Sequence, residues 1–346
     1  MQKKGNKYGT HRVIEPKDVL TQAAKKIDNS MELYANEILV DVSALNVDSA
    51  SFTQISRACG GDEEKIGAMI MDIVAERGKL QNPVTGSGGM FIGTVRQIGD
   101  DLKDKIDLKE GDKIASLVSL SLTPLKIEKI LALHKDIDRV DIAGQAILFE
   151  SGIYAKLPAD LSEKLSLAAL DVAGAPAQTA KLVQSNDSVL ILGGAGKSGM
   201  LVCYEAMKRV GPIGNVVAVV LTQEDADLLT SMHLCDHAVV ASATKPMEVL
   251  DMVLAVNHGR EFDVSICCVN IENCEMSCIL PVRDGGTAYF FSMATSFTKA
   301  TLGAEGCGKD VDIMMGNGYT RGHAEIALAE LRENEALRRY FEQKYL

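Results

Sequence analysis

The chain of 346 residues lacks any apolar run close to the roughly 20 residues needed to cross a bilayer. No membrane span is expected. Its opening, Met1-Gln-Lys-Lys-Gly-Asn-Lys7, carries positive charge with no apolar core behind it, so it does not read as a secretory signal. Positive charge is also scarce: 36 Lys and Arg stand against 47 Asp and Glu, a net charge of -11. Such a surface repels nucleic acid and suits a cationic substrate. Internal repeats and low-complexity linkers are missing. What remains is 47% hydrophobic and 24% charged, the composition of a soluble globular protein, with length enough for two domains. Eight cysteines in such a chain read as free thiols, and the expected location is the cytoplasm.

The most informative stretch is Ser188-Val-Leu-Ile-Leu-Gly-Gly-Ala-Gly-Lys-Ser-Gly-Met200. Four apolar residues, Val189 to Leu192, run into Gly194-x-Gly196-x-x-Gly199, and a helical pattern follows with Cys203, Ala206, Met207 and Val210 on one face. Strand, glycine turn and helix in that order suit a dinucleotide pyrophosphate. One glycine permits the turn, the next lets backbone approach the phosphates, and the third lets the helix lie close to the strand. The anion then rests on free N–H groups at the helix start. A second apolar strand from Val216 to Leu221 closes a βαβ unit within about 30 residues. Gly196-Lys197-Ser198 also imitates a phosphate-binding P-loop, but that motif needs glycine at position 191, where isoleucine stands. Candidate cofactor contacts are Gly194, Ala195, Gly196, Lys197, Ser198 and Gly199. Thr222 at the end of the second strand joins them, with Val269 and Ser292 at the ends of later strands. The acids after the second strand, Glu224 and Asp225, come too late to decide between NAD and NADP.

The first half is β-rich, with Ile38, Val40 and Val42 alternating on one face. Within it, Asp62 to Arg77 forms an amphipathic helix whose stripe is Ile66, Met69, Ile70, Ile73 and Val74. The second half alternates helix with strands near 188–193, 216–221, 238–240, 263–269, 286–292 and 311–315, the pattern of a doubly wound parallel sheet. A charged helix ends the chain. Cys267, Cys268, Cys274 and Cys278 are close enough to suggest a metal cluster, but alternation along a strand sends the first two to opposite faces. They read as small buried hydrophobes. His233 and His237 imitate a metal-ligand pair where a helix ends and a strand begins, and a structural reading is preferred there too.

These pieces resemble the medium-chain dehydrogenase/reductase superfamily over nearly the whole chain. The segments carrying the likeness are Glu37 to Val47, Phe91 to Gly99 followed by Leu108 to Ile114, Leu157 to Ser162, Leu234 to Val239, and Phe262 to Phe290. The resemblance implies an α/β fold, a doubly wound Rossmann sheet plus a β-rich GroES-like catalytic domain. It implies a catalytic domain over 1–165, a dinucleotide-binding domain over 166–316, and a C-terminal helix, 317–346, returning to the first. Zinc-dependent members carry a cysteine near the position of Asp48 and a Gly-His-Glu where Gly86-Ser87-Gly88-Gly89 stands here. Without those ligands no metal is expected. Tyr8 to Pro16, Ala23 to Asn29, Gly193 to Met200 and Tyr204 to Pro212 resemble the L-erythro-3,5-diaminohexanoate dehydrogenase family. That likeness implies NAD- or NADP-dependent deamination of a diamino acid in lysine fermentation, by a homodimer. The alternatives are a zinc-free quinone or enoyl reductase and a non-catalytic dinucleotide-binding protein.

Amine oxidation by hydride transfer sets its own demands. A free amine must form before hydride leaves the carbon, and a carboxylate can take that proton. A second carboxylate holds the other ammonium, and a cation holds the substrate's carboxylate. Asp48, in the loop replacing the zinc loop, and Asp171 are the candidate catalytic carboxylates. Arg57, Arg321 and Ser87 are the candidate substrate contacts.

Overall fold

A computed structural model describes residues 2–292, 294–316 and 318–345. The chain divides into two units, the first ending at Ala159 and the second starting at Asp160.

The first unit is built on a six-stranded antiparallel sheet. Its strands are β3 (Glu37–Asn46), β4 (Met90–Ile98), β5 (Lys113–Ser116), β6 (Leu125–His134), β7 (Arg139–Phe149) and β8 (Tyr154–Lys156), in the order β6-β7-β3-β4-β5-β8. A two-stranded ribbon, β1 (Val13–Glu15) with β2 (Lys26–Ile27), precedes it. Val40, Val42 and Leu45 of β3 enter the core, where they join Phe52 and Ile55 of α1 (Ser49–Ala58) and Ile66 and Ile70 of α2 (Glu63–Arg77). Helix α2 starts where the Asp62 side chain accepts the Lys65 N–H at 3.2 Å and stops at Gly78, whose φ of 73° is left-handed. Its expected stripe is buried except for Met69, which packs at the core's margin.

The ribbon is tied down by charge. The Arg12 guanidinium, fully buried, donates to both oxygens of Glu37, at 2.7 and 2.6 Å, and to the carbonyls of Ser30 and Glu32. His11 Nε2 lies 2.9 Å from Glu37 Oε1, and the Tyr34 ring covers the guanidinium. Burial pushes the Glu37 carboxyl up, but the Arg12 and His11 contacts outweigh it and hold the group below its ordinary range.

In the second unit, α3 (Glu163–Leu170) and α4 (Gly174–Leu182) lead into alternating strands and helices. These are β9 (Ser188–Leu192), α5 (Lys197–Val210), β10 (Asn215–Val220), α6 (Gln223–Ser231), β11 (His237–Val240), α7 (Pro246–Val256), β12 (Phe262–Cys267), α8 (Glu275–Ile279), β13 (Val282–Phe290), α9 (Phe297–Cys307) and β14 (Asp312–Met315). All six strands run parallel in the order β11-β10-β9-β12-β13-β14. That is the 3-2-1-4-5-6 arrangement of a dinucleotide-binding sheet, with the strand order reversing between β9 and β12. The central strands are buried on both faces, so they read as apolar runs rather than alternations.

Two boundaries differ from expectation. The division falls after Ala159 rather than after 165. The terminal helices α10 (His323–Glu333) and α11 (Glu335–Tyr345), expected to return to the first domain, fall within the second unit. There α10 packs on α3, α4 and α5, and α11 packs on α3. The buried side chains Ala327, Leu331, Leu337 and Phe341 are the apolar face that fixes them there.

Candidate functional site

In the second unit the carboxyl ends of β9, β10, β12 and β13 meet around the glycine turn. Gly193 has φ 81°, and a Cβ on it would lie 2.9 Å from Val269 Cγ2. A Cβ on Gly194 would strike Ala218 and Leu229, at 2.9 and 3.1 Å. On Gly199 it would come within 2.0 Å of the Gly193 carbonyl oxygen. Gly196 is different: the nearest atom to its added Cβ is the Gly193 oxygen at 3.4 Å, so this side of the turn is open. Helix α5 begins at Lys197 with no side-chain cap, which leaves its first N–H groups directed at that opening. The turn is thus crowded where it packs against Val269, Ala218, Leu229 and its own backbone, and open at Gly196, where a pyrophosphate would rest. The residues present fit a dinucleotide.

The remaining cofactor candidates fall where the sheet brings them. Val269 faces Gly193. Ser292, just past β13, donates to Asn270 Oδ1 at 3.3 Å and accepts the Ala294 N–H at 3.1 Å. Thr222 stands beyond β10 as the N-cap of α6, accepting the Asp225 N–H at 3.1 Å and donating to Asp225 Oδ2 at 2.8 Å. Its hydroxyl is therefore engaged in capping. Asp171 follows the last residue of α3 and pairs with Lys197, Oδ2 to Nζ at 2.5 Å. Arg321 is exposed, just ahead of α10.

In the first unit the structure joins two loops. Asp48 is the N-cap of α1, its Oδ1 accepting the Ser51 N–H at 3.1 Å. The hydroxyls of Ser51 and Thr85 lie 2.5 Å apart. Asn82, almost fully buried, donates to the Ser51 carbonyl at 3.3 Å and to Gln54 Oε1 at 2.8 Å, while its own Oδ1 accepts the N–H groups of Val84 and Thr85. Its backbone N–H reaches the Ser87 carbonyl at 2.9 Å. Gly89, with φ 98°, closes the arrangement, since a Cβ there would lie 2.1 Å from the Asn46 oxygen. Asp48 and Ser87 are therefore held on adjoining loops. Arg57 sits at the opposite end of α1, exposed, lining a shallow groove with Ser49, Thr53 and Gln54.

The sequence reading missed Asn82, the place of Cys268 beside the glycine turn, and the pairing of Asp171 with Lys197. Asn82 had a visible signal, the turn-starting pair Asn82-Pro83. Cys268 and the Asp171–Lys197 pair had none, because their partners are distant in sequence. The Cys268 N–H donates to the Leu192 carbonyl at 2.9 Å, and its thiol meets Ser198 beside the glycine turn. Desolvation pushes that thiol up to about 12, so it stays protonated and non-nucleophilic at neutral pH. Cys267, Cys274 and Cys278 are buried, and burial raises all three thiols. Among the described residues no three His, Cys, Asp or Glu side chains group to hold a metal ion. His237 opens β11 in the sheet.

The fold is that of the medium-chain alcohol and quinone oxidoreductases. An alcohol dehydrogenase from Thermotoga maritima aligns over 90% of this chain and 86% of its own, with a TM-score of 0.54 at 15% identity. The CurK enoyl reductase aligns over 99% and 95%, with a TM-score of 0.53 at 17% identity. A family described as the L-erythro-3,5-diaminohexanoate dehydrogenase N-terminal domain matches residues 11–158. L-erythro-3,5-diaminohexanoate dehydrogenases from Acetoanaerobium sticklandii and Fusobacterium nucleatum are 67% and 64% identical, each over 99% of this chain and their own full length. The chain belongs to the L-erythro-3,5-diaminohexanoate dehydrogenase family.

Proposed function

We propose that this chain oxidatively deaminates L-erythro-3,5-diaminohexanoate to 5-amino-3-oxohexanoate and ammonia, with NAD or NADP as oxidant, in lysine fermentation. The observation that carries the substrate is the end-to-end match to relatives that bear this activity in their names. The glycine turn, open at Gly196 and set at the switch point of the sheet, supports the cofactor. Quinone or enoyl reduction keeps only the fold in its favour.

A nicotinamide held at the glycine turn would supply the acceptor for a hydride from C3 of the substrate. With one water consumed, C3 ends as a carbonyl and its nitrogen leaves as ammonium, with one further proton released. The chain's part is to hold charge and move that proton. Asp48, held against the Ser87 loop, and Asp171, paired with Lys197, are each a candidate carboxylate for an ammonium contact or for taking that proton. Arg57, Arg321 and Ser87 are assigned to its carboxylate and polar contacts. We take the reaction to proceed without a metal, because Asp48 and Gly86 to Gly89 occupy the loops and offer no ligand set. The eight free cysteines suit a reducing cytoplasm. A homodimer completes the proposal, and sedimentation of the purified chain tests it.

The test of function is purified protein with the diamino acid and NAD or NADP. Reduced nicotinamide and ammonia should appear in equal amounts and survive chelation. Reduction of enones with no deamination would instead favour the reductase.

A further inference from the structure

We propose that Lys197 exchanges counter-ions when the dinucleotide binds, releasing the Asp171 carboxylate in favour of the cofactor's pyrophosphate. The inference rests on the dinucleotide reading above and adds a device to it. Lys197 is the first residue of α5 and directly follows Gly196, the open position of the glycine turn. Its ammonium is held by Asp171 Oδ2 at 2.5 Å, with the Tyr345 ring 5.7 Å away. The glycine turn thus holds its one lysine in the grip of a carboxylate.

That grip is weak by construction. The side chains are 29% and 44% exposed, and water screens pairs of that kind until they contribute little. A pyrophosphate brings two negative charges to a place where uncapped N–H groups and the helix dipole already favour an anion. The lysine ammonium is a point charge on a flexible stem, suited to changing partners where a bidentate arginine would not be. Once Lys197 turns to the phosphates, Asp171 is left without its cation. It then attracts the ammonium of an incoming substrate, so an occupied cofactor site prepares the chain for a cationic ligand.

The experiment is an NADH titration, read by nucleotide fluorescence, on the full chain without substrate. Asp171→Asn removes the competitor and should bind NADH about three- to fivefold more tightly than wild type. Lys197→Met should bind at least about tenfold more weakly, with a shallower dependence on salt. Adding Asp171→Asn to Lys197→Met should then change nothing, because the competition is already gone. Asp171→Ser repeats the test with a smaller side chain, and thermal unfolding checks that each variant is folded. Folded Asp171 variants that bind NADH no better than wild type overturn the exchange while leaving the dinucleotide reading intact. A wild-type chain that binds neither NADH nor NADPH overturns both.

Discussion

A Cβ on Gly199 would lie 2.0 Å from the carbonyl oxygen of Gly193, so these two residues fix how closely α5 can approach the end of β9. Gly196, three residues earlier, has no such neighbour. The two glycines should therefore fail differently. Gly199→Ala should disturb the turn itself and lower the unfolding temperature, because backbone has to move. Gly196→Val should leave a folded protein with its pyrophosphate seat obstructed. A steric cost of about 1–3 kcal/mol is typical of such overpacking, or roughly 5- to 150-fold in Kd. Calorimetry and NADH titration on both variants separate the outcomes, and unaltered binding by Gly196→Val would remove the turn from the cofactor site.

Asp48 caps α1, and one substitution can separate that cap from the ammonium contact proposed for it. Asparagine caps a helix about as well as aspartate. Asp48→Asn should keep the unfolding temperature while kcat/KM falls at least about tenfold, through loss of an ammonium contact. Asp48→Ala should lose the cap too, at about 1 kcal/mol of stability. If Asp48→Asn turns over diamino acid like wild type, the carboxylate is a helix cap and nothing more.

The Arg12–Glu37 pair secures the N-terminal ribbon to β3. Removing one partner leaves the other charge buried and uncompensated, which costs about 3–5 kcal/mol. Arg12→Met should therefore lower the denaturation midpoint markedly. The Glu37 carboxyl is held below its ordinary range, so its contribution is complete above the unfolded pKa and is lost as pH falls through the lower folded value. Acid unfolding followed by circular dichroism should show wild type and Arg12→Met converging as pH drops.

A buried acid gives the opposite sign. Glu330 on α10 is fully buried, with the Glu205 carboxyl beside it. Burial, with the nearby charge of Glu205, pushes its carboxyl well above the ordinary range. Glu205 itself is held by Arg209 at 2.7 Å and by Lys208 at 3.3 Å. The folded chain keeps a proton on Glu330 that the unfolded chain releases. The associated stability is complete below the unfolded pKa and declines as pH rises toward the folded value, by up to about 1.4 kcal/mol per pH unit. Glu330→Gln should match wild type near pH 4 and exceed it in urea midpoint at pH 8. Equal midpoints at both pH values would mean that Glu330 does not bind that proton.

What the sequence reveals follows the range of the interactions. The six strands of the second unit are legible within a few residues, most plainly β9, β10 and β12, where burial on both faces leaves apolar runs. The start of β13 is obscured by Arg283-Asp284-Gly285, and the hairpin of β6 and β7 by exposed charges such as Lys126 and Glu128. The glycine turn is local and is read in full. The grip of Lys197 on Asp171, the Asn82 clasp and the buried Glu330 each depend on side chains brought together from distant segments, and no spacing announces them.

In the proposed reaction hydride leaves C3 as the 3-amino group is lost. The most direct measurement is turnover of L-erythro-3,5-diaminohexanoate carrying deuterium at C3 and nitrogen-15 on the 3-amino group. One deuterium on the reduced nicotinamide for each labelled ammonia released is the expected result. Reduced nicotinamide without deuterium, or ammonia without the heavy nitrogen, would contradict it.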